Sequence, residues 1–305
     1  MFAKALFPTD FSAYANTVFT CLPDLKSAGL QIVVLVSVIK DSDVPMPETM
    51  NRENLKRVEW SAQERLNIAK MALEGHGFRV FTHVRYGSPA AQILRVAEEE
   101  RVDLIIIGAQ GKTLGQEILL GSVAYEVVRG ATVPVLIEKA LVVRDMGRVQ
   151  CQLACKEMFS RVLHPTDFSE CADAAFQVVK RLKSAGTQEV IVLHVQDERA
   201  MQHRTPEQVA AFDAEDAERL EKLCHTLRMF GLQARPLLRH GHPVRETLRV
   251  AEEEAPSLIV LGSHGRSALR EILTGSTFEN VLRLSRHPVL VVRHSGPEGE
   301  HHRTG

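Results

Sequence analysis

The chain repeats itself over nearly half of its 305 residues. The run Pro8-Thr9-Asp10-Phe11-Ser12 returns as Pro165-Thr166-Asp167-Phe168-Ser169, at an offset of 157 residues. Residues 94–100 return as residues 248–254, at an offset of 154, so a deletion of three residues falls in the weakly matched stretch around residues 40–60. A repeat of this length is far longer than a solenoid unit, and it indicates that a whole domain has been duplicated.

The duplication predicts two domains, a linker between them and a tail. Within the linker, Met146, Val149, Leu153 and Met158 are spaced to line one side of a helix, so a short helix is predicted there. The tail has no apolar pattern and is expected to be disordered. The expected boundaries are residues 1–138 for the first domain, 139–158 for the linker, 159–294 for the second domain and 295–305 for the tail.

Each repeat alternates predicted strands with amphipathic helices. Several of the strands are nearly unbroken runs of Val, Ile and Leu, which is typical of parallel strands covered by helices on both faces. Pro236 lies inside the third strand of the second repeat and favours an edge position for it. The predicted strands are Ala3–Phe7, Ile32–Val38, Phe78–Val84, Val102–Ile107 and Val133–Ile137, then Arg161–His164, Val190–Val195, Leu232–Leu238, Leu258–Leu261 and Val289–Val292.

This pattern predicts an α/β fold of two tandem doubly wound domains. Each domain is expected to be a five-stranded parallel sheet of strand order 3-2-1-4-5, flanked by helices. The clearest helix start is Ser88-Pro89, a capping residue followed by proline at the first helical position.

Charge and cysteine content restrict the class of protein. Lys plus Arg number 37 against 38 Asp plus Glu, so no overall field attracts nucleic acid or a membrane, and neither is expected as a partner. No apolar run approaches the roughly 18 residues of a membrane-spanning helix, and the N-terminus lacks the layout of a signal peptide. The five cysteines form no regular framework, which suits a reducing compartment. The chain is therefore expected to be cytoplasmic, with Cys151 and Cys155 as free thiols rather than a metal site.

A glycine motif, Gly-x2-Gly-x9-Gly-Ser, directly follows the fourth predicted strand of each repeat. Its first glycines let the chain leave the strand with exposed backbone amides, and Gly-Ser then begins the next helix. Amides at a helix N-terminus together with a serine hydroxyl form an anion site, and a cation after the second glycine suits phosphates. The residues are Gly108, Gly111, Lys112, Gly121 and Ser122 in the first repeat, and Gly262, Gly265, Arg266, Gly275 and Ser276 in the second.

An aspartate is predicted beside each glycine motif. Asp10 and Asp167 come at the carboxyl ends of the first strands, and ligands of doubly wound sheets bind at that edge, between strands one and four. A carboxylate beside a phosphate site is unfavourable unless Mg²⁺ lies between them or the carboxylate accepts ribose or backbone hydrogen bonds. The two aspartates are thus candidates for indirect metal contact through the phosphates.

These residues carry a resemblance to the universal stress protein family over almost the full chain. The Pro-Thr-Asp-Phe-Ser openings, the glycine motifs and the closing strands 133–137 and 288–292 all match the family pattern, and the glycine motif resembles that of its ATP-binding branch. The resemblance implies one ATP, or another adenine nucleotide, with Mg²⁺ per repeat. It implies contacts from Pro8, Thr9, Asp10, Pro165, Thr166 and Asp167, from the backbone of Val38 and Val195 to adenine, and from the glycine motifs to ribose and phosphates.

The resemblance also implies partners within and between chains. The fifth strands of the two repeats are expected to pair with each other, while the exposed sheet edges and the apolar linker leave a homodimer open. A nucleotide-dependent regulatory protein of the stress response would act on a protein partner that the sequence does not identify.

Two alternative functions remain open from the residues themselves. One is a slow ATPase or another enzyme that uses ATP, although no recurring catalytic base is visible and Gly111-Lys112-Thr113 does not belong to a P-loop, since Ile106 stands where that motif needs glycine. The other is a ligand-free interaction module in which the glycines serve only folding. His240 and His242 are expected to act in capping or at the surface rather than in catalysis.

Overall fold

The chain divides into two compact units, Met1–Lys156 and Glu157–Gly305. The computed structural model describes residues 1–26, 28–40, 52–109, 120–145, 148–153, 157–263 and 277–293. Each unit contains a parallel sheet with helices packed against it.

The sheet of the first unit has the order β3-β2-β1-β4-β5. Residues Pro8 and Val36 are partners in the register of β1 with β2, and Ala5 and Leu104 in that of β1 with β4, so β1 lies between these two strands. All five strands run parallel. The strands are β1 Lys4–Pro8, β2 Ile32–Ile39, β3 Arg79–Tyr86, β4 Leu104–Gly108 and β5 Val135–Glu138, and the helices are α1 Ala13–Phe19, α2 Arg52–Gly75, α3 Pro89–Glu99 and α4 Ser122–Gly130.

The second unit repeats this arrangement, with the order β10-β9-β8-β11-β12. All five strands again run parallel, and β10, which contains Pro236, lies at an edge of this sheet, as the proline predicts. The strands are β8 Arg161–Pro165, β9 Glu189–Asp197, β10 Gln233–Gly241, β11 Leu258–Gly262 and β12 Val289–Val292, and the helices are α5 Glu170–Arg181, α6 Glu198–Met201, α7 Pro206–Met229, α8 Pro243–Glu254 and α9 Thr277–Leu284.

The predicted fold class and strand order are therefore confirmed in both units. Most buried positions of the central strands are apolar, as the Leu104–Gly108 strand shows with four consecutive buried residues. Such strands are covered by helices on both faces, which is why they read as continuous apolar runs in the sequence. Helix α3 begins at Pro89 after Ser88, as predicted, although the Ser88 side chain makes no capping hydrogen bond.

The predicted helix in the linker is wrong. Residues Ala140–Asp145 (β6) and Arg148–Leu153 (β7) form an antiparallel hairpin, with Val143 and Gln150 as partners in its register. The sequence of β7 alternates polar and apolar residues strictly, which is the period of a strand and competes with the helical spacing on which the prediction rested. Met146 lies outside the described residues, as do Cys155 and the predicted disordered tail.

Cysteine chemistry also differs from expectation at one position. Cys21 is disulfide-bonded, whereas Cys224 is a buried free thiol. None of the helices in the described part of the chain is both long and apolar enough to cross a lipid bilayer.

Candidate functional site

The Thr-Asp-Phe-Ser run forms a tight turn at the carboxyl end of β1. The Thr9 hydroxyl oxygen accepts from the Phe11 amide at 3.0 Å, and Asp10 Oδ1 accepts from the Ser12 amide at 2.9 Å. The Ser12 hydroxyl then caps α1 by accepting from the Ala15 amide at 3.1 Å. Hydrogen bonds of Thr9, Asp10 and Ser12 thus stabilise the turn between the strand and the helix, which explains why these residues occur in this order.

The second unit forms the same turn from the repeated residues. The Thr166 hydroxyl accepts from the Phe168 amide at 3.0 Å, and Asp167 Oδ1 accepts from the Ser169 amide at 3.1 Å. In both units a backbone amide therefore donates a hydrogen bond to one oxygen of the aspartate. Acceptance of backbone hydrogen bonds is one of the roles that the sequence analysis considered for these carboxylates.

A bulky residue adopts a left-handed backbone conformation in each turn. Phe11 has φ 57° and Phe168 has φ 58°, a region that costs a residue with a side chain of order 1–3 kcal/mol. An arginine from the long helix supports each of them. Arg65 Nη2 donates to the Phe11 carbonyl oxygen at 3.1 Å and its Cζ lies 4.1 Å from the Phe11 ring centroid, while Arg219 Cζ lies 3.9 Å from that of Phe168.

A cavity of about 940 Å³ opens at the carboxyl edge of the first sheet, where β1 and β4 separate. Its walls come from the β1 turn, the end of β2, the first half of α2, and the segment from β4 to α4. This is the crevice in which doubly wound sheets bind their ligands, and its volume lies within the range of small-molecule sites. A smaller cavity of about 250 Å³ shares Thr9, Phe11 and Arg65 with it.

The structure brings the described candidate residues of the first repeat together in this cavity. They line it from three separate segments of the chain, and Gly111 and Lys112 lie outside the described residues. The lining candidates are Pro8, Thr9, Asp10, Val38, Gly108, Gly121 and Ser122.

The N-terminus of α4 faces the cavity without a capping side chain. Gly121 occupies the N-cap position, makes no side-chain capping bond, and donates its own amide to the Ala109 carbonyl oxygen at 2.7 Å. The next three residues, Ser122, Val123 and Ala124, form the first turn of the helix and also line the cavity. Amides of a first turn have no intrahelical acceptor, and they favour an anion.

Cations on the strand and helix walls add positive charge that sequence reasoning missed. Lys40 follows β2, and Arg57 and Arg65 lie eight residues apart on α2, so that both face the cavity. Among the described lining residues, Asp10 is the single carboxylate against these three cations. For Arg65, the repeat was a signal in the sequence that could have identified it, because Arg219 is its equivalent at the offset of 154.

The corresponding candidates of the second repeat are only partly described. Pro165, Thr166, Asp167 and Val195 occupy the same strand ends, whereas Gly265, Arg266, Gly275 and Ser276 lie outside the described residues. Gly262 ends β11, and a Cβ built there would lie 2.4 Å from the Cys171 carbonyl oxygen. Close packing of β11 against the start of α5 therefore requires glycine at this position.

Metal binding by the protein alone receives no support from the described residues. No group of three or more His, Cys, Asp or Glu side chains among them is arranged to hold a metal ion. An ion such as Mg²⁺ characteristically binds through one or two carboxylates together with substrate phosphates, and Asp10 at the cavity wall is compatible with that mode.

Both repeats match a known family model. Residues 1–139 and residues 158–293 each match the model of the Universal stress protein family. A universal stress protein of Methanocaldococcus jannaschii is 36% identical over 155 residues, which are 45% of this chain and 96% of that protein.

Some relatives align with most of the chain, across both repeats. A universal stress protein of Mycobacterium tuberculosis is 26% identical over 272 residues, covering 86% of each chain. The crystal structure of a universal stress protein from Archaeoglobus fulgidus aligns with a TM-score of 0.71 and 25% identity, covering 95% of this chain and 96% of that one.

Proposed function

This chain belongs to the universal stress protein family, and on that premise we propose that it is a nucleotide-dependent regulatory protein of the stress response that binds ATP, or another adenine nucleotide. The observation that carries the proposal is the cavity of about 940 Å³ at the carboxyl edge of the first sheet, where a helix N-terminus, three cations and the Asp10 turn converge. The sequence predicts one such site per repeat.

The walls of the cavity suit the different parts of a nucleotide. The backbone at Val38 would contact adenine, and the Asp10 oxygen that is not bonded to Ser12 would accept from a ribose hydroxyl. The first-turn amides of α4 and the Ser122 hydroxyl would hold phosphates. Three positive side chains would attract the negatively charged phosphates, namely those of Lys40, Arg57 and Arg65.

Magnesium would enter this site with the nucleotide. When bound to the phosphates, Mg²⁺ would neutralise part of their negative charge. Asp10, and Asp167 in the second repeat, would then be positioned by their turns to approach the ion through the phosphates. Each keeps one oxygen on a backbone amide, which fixes the orientation of the carboxylate.

Binding accounts for the site better than hydrolysis does. Hydrolysis needs a group that positions and deprotonates water. Asp10 is the single carboxylate among the described lining residues, and its Oδ1 already accepts the Ser12 amide. The side chains of this cavity therefore serve recognition, and the consequence of occupancy is a change in the protein's conformation or partners.

Replacement of Gly121 tests the proposal. Gly121→Val places a branched side chain at the cavity wall beside the first turn of α4, so ATP affinity measured by isothermal titration calorimetry is expected to fall at least tenfold. Gly75→Val is the control, since a Cβ there meets nothing within 4 Å. If the wild-type chain carries no nucleotide when purified, and ATP changes neither its melting temperature nor the calorimetric signal, the proposal is wrong.

A further inference from the structure

Three large apolar side chains of α2 are exposed to solvent. Trp60 is 67% exposed, Ile68 is 64% exposed and Met71 is 71% exposed. Their positions are eight and then three residues apart, which places them along one side of the helix, and we call them the α2 stripe. A single exposed apolar residue is ordinary, whereas a continuous row that includes a tryptophan marks an interaction surface.

The duplicated domain has the same helix without the stripe. Helices α2 and α7 have 24 residues each and correspond at the offset of 154, at which Leu66 and Leu220 are both fully buried. Because α7 forms and packs with other residues at the exposed positions, the fold does not require the α2 stripe. The equivalents of Trp60, Ile68 and Met71 are Ala214, Lys222 and His225, all exposed.

The charges at the two ends of the α2 stripe are opposite in sign. Lys56 and Arg57 precede the stripe and Glu74 follows it, and all three are exposed. Lys70 Nζ lies 3.7 Å from Glu74 Oε1, but an exposed pair of this kind contributes little, so Glu74 is available to a second cation. This side of the helix therefore has a basic end and an acidic end, with apolar residues between them.

Such a face is complementary to itself when two copies of the helix meet in antiparallel orientation. The midpoint between Trp60 and Met71 falls between residues 65 and 66, and the same midpoint relates Arg57 to Glu74. About a twofold axis at this point, Trp60 of one copy packs on Met71 of the other. The basic end of each helix then lies beside the acidic end of its partner, and every contact is made twice.

Helix α7 lacks this complementarity to itself. In the same antiparallel arrangement Ala211 would lie opposite Arg228, so no ion pair would form at the ends. Glu218 would lie opposite Glu221, which places like charges together near the centre. The self-complementary pattern is therefore a property of α2, and the second unit supplies a matched control for it.

We propose that the chain associates with a second copy of itself by antiparallel packing of the α2 stripe of one copy on the α2 stripe of the other. This places the contact on a helix of the first unit, rather than on the sheet edges or the linker that the sequence left open. A single pair of helices buries less surface than a standard interface, so the dimer forms reversibly and depends on protein concentration. The proposal goes beyond nucleotide binding and does not depend on it.

Analytical ultracentrifugation of the full chain without nucleotide gives the first test. The wild-type chain is expected to show a monomer–dimer equilibrium. Trp60→Ala is expected to raise the dissociation constant at least tenfold, because a central tryptophan contributes strongly to an interface and this one acts twice. His225→Ala, at the α7 position equivalent to Met71, is the matched control and is expected to change nothing.

Two outcomes of this experiment would overturn the proposal. A wild-type chain that stays monomeric at every concentration would mean that a different protein covers the α2 stripe. A dimer that Trp60→Ala leaves unchanged would mean that the two copies meet through another surface. Trp60 is an exposed side chain, so circular dichroism of the variant is expected to match the wild type.

Charge exchange tests the antiparallel orientation. Lys56→Glu and Glu74→Lys are each expected to weaken the dimer, because each places like charges at both ends of the helix pair. The combined variant restores opposite charges and is expected to restore the wild-type dissociation constant. Failure of the combined variant to recover would overturn the antiparallel arrangement. Lys56 is not among the residues that line the cavity, so this exchange leaves the proposed nucleotide site intact.

The position of the twofold axis has a test of its own. Glu64 is exposed and lies beside the midpoint, so the two copies of this carboxylate approach each other in the dimer. Glu64→Gln removes their repulsion and is expected to lower the dissociation constant about two- to fivefold. A dimer that is not tightened by this change would contradict the position given to the axis.

A measurement without variants locates the contact. Trp60 is the only tryptophan in the sequence, so the tryptophan fluorescence of the chain reports on the α2 stripe alone. As the protein concentration rises, its emission is expected to shift to shorter wavelength over the range in which ultracentrifugation shows the dimer forming. Emission that stays constant while the dimer forms would overturn the proposal even if every variant misfolds.

Discussion

Arg65 holds Phe11 in a conformation that a phenylalanine rarely adopts. The guanidinium lies over the ring, with Cζ 4.1 Å from the centroid, and Nη2 donates to the Phe11 carbonyl oxygen at 3.1 Å. Phe11 has φ 57° and follows Asp10 directly, so the arginine on α2 fixes the turn that presents the aspartate to the cavity. The same side chain also adds a positive charge to the cavity wall.

Replacement of Arg65 by Met is expected to weaken ATP binding about 10- to 100-fold. One charge-assisted interaction contributes about 1.5–3 kcal/mol, and 1.4 kcal/mol corresponds to a factor of ten. Calorimetry measures the change, as does titration followed by the fluorescence of Trp60, which is the neighbour of the lining residue Ser61 on α2. Arg219→Met is the matched control, because Arg219 lies over Phe168 in the second unit, and it is expected to leave the affinity of the site in the first unit unchanged. Equal losses in the two variants would contradict the role given to Arg65.

The fold was predictable because it depends on patterns that recur in both halves of the chain. Continuous apolar runs such as Leu104–Gly108 are typical of central parallel strands, and the repeated offsets supported each assignment with a second copy. The linker was not repeated. The spacing of its few apolar residues fitted both a helical and a strand period. The structure adopts the strand period, in the hairpin of β6 and β7.

The candidate site was predictable only where a motif marks it. Asp10 and Gly121 stand in repeated runs, and the carboxyl-edge rule for doubly wound sheets brought them together. Lys40 and Arg57 carry no motif, and their equivalents Asp197 and Ala211 differ from them, so repetition gave no support. The left-handed conformation of Phe11 also leaves no mark in the sequence, because it depends on an arginine that is 54 residues away.

Gly262 is expected to be needed for folding as much as for ligand binding. In Gly262→Ala the added Cβ would lie 2.4 Å from the Cys171 carbonyl oxygen and 2.6 Å from its carbon, so β11 or the start of α5 must shift. Overpacking of this kind costs about 1–3 kcal/mol, and the expected result is a loss of that size for the second unit without any ligand.

Hydrogen exchange of β11, measured by mass spectrometry, checks this loss. The control is Gly75→Ala, which meets nothing within 4 Å and is expected to leave exchange in both units unchanged. Unaltered exchange of β11 in Gly262→Ala would mean that this glycine is not required for packing.

The Cys224 thiol is expected to be inert in the native protein. It is fully buried in α7, and burial raises its pKa to about 12, so almost none of it is the reactive thiolate at pH 8. Alkylation by iodoacetamide, followed by peptide mass spectrometry, should therefore proceed at Cys224 only through opening of the second unit. Gly262→Ala is expected to accelerate that labelling. A labelling rate at Cys224 that is independent of denaturant and similar to that of a small thiol would contradict this prediction.

His164 is expected to make the second unit less stable in acid. It replaces Phe7 of the first unit, lies fully buried in β8, and its Nδ1 donates to the Val260 carbonyl oxygen at 3.1 Å, while Nε2 makes no hydrogen bond within the described residues. Burial lowers the pKa of His164 below its usual value of 6.5, so the unfolded chain takes up a proton that the folded unit does not. Stability is then complete above pH 6.5 and decreases below it, by at most about 1.4 kcal/mol per pH unit for one proton. Hydrogen exchange of β8 at several pH values measures this slope, which His164→Phe should reduce and which His225→Gln, at an exposed histidine of α7, should not. A slope that persists in His164→Phe would show that another group takes up the proton.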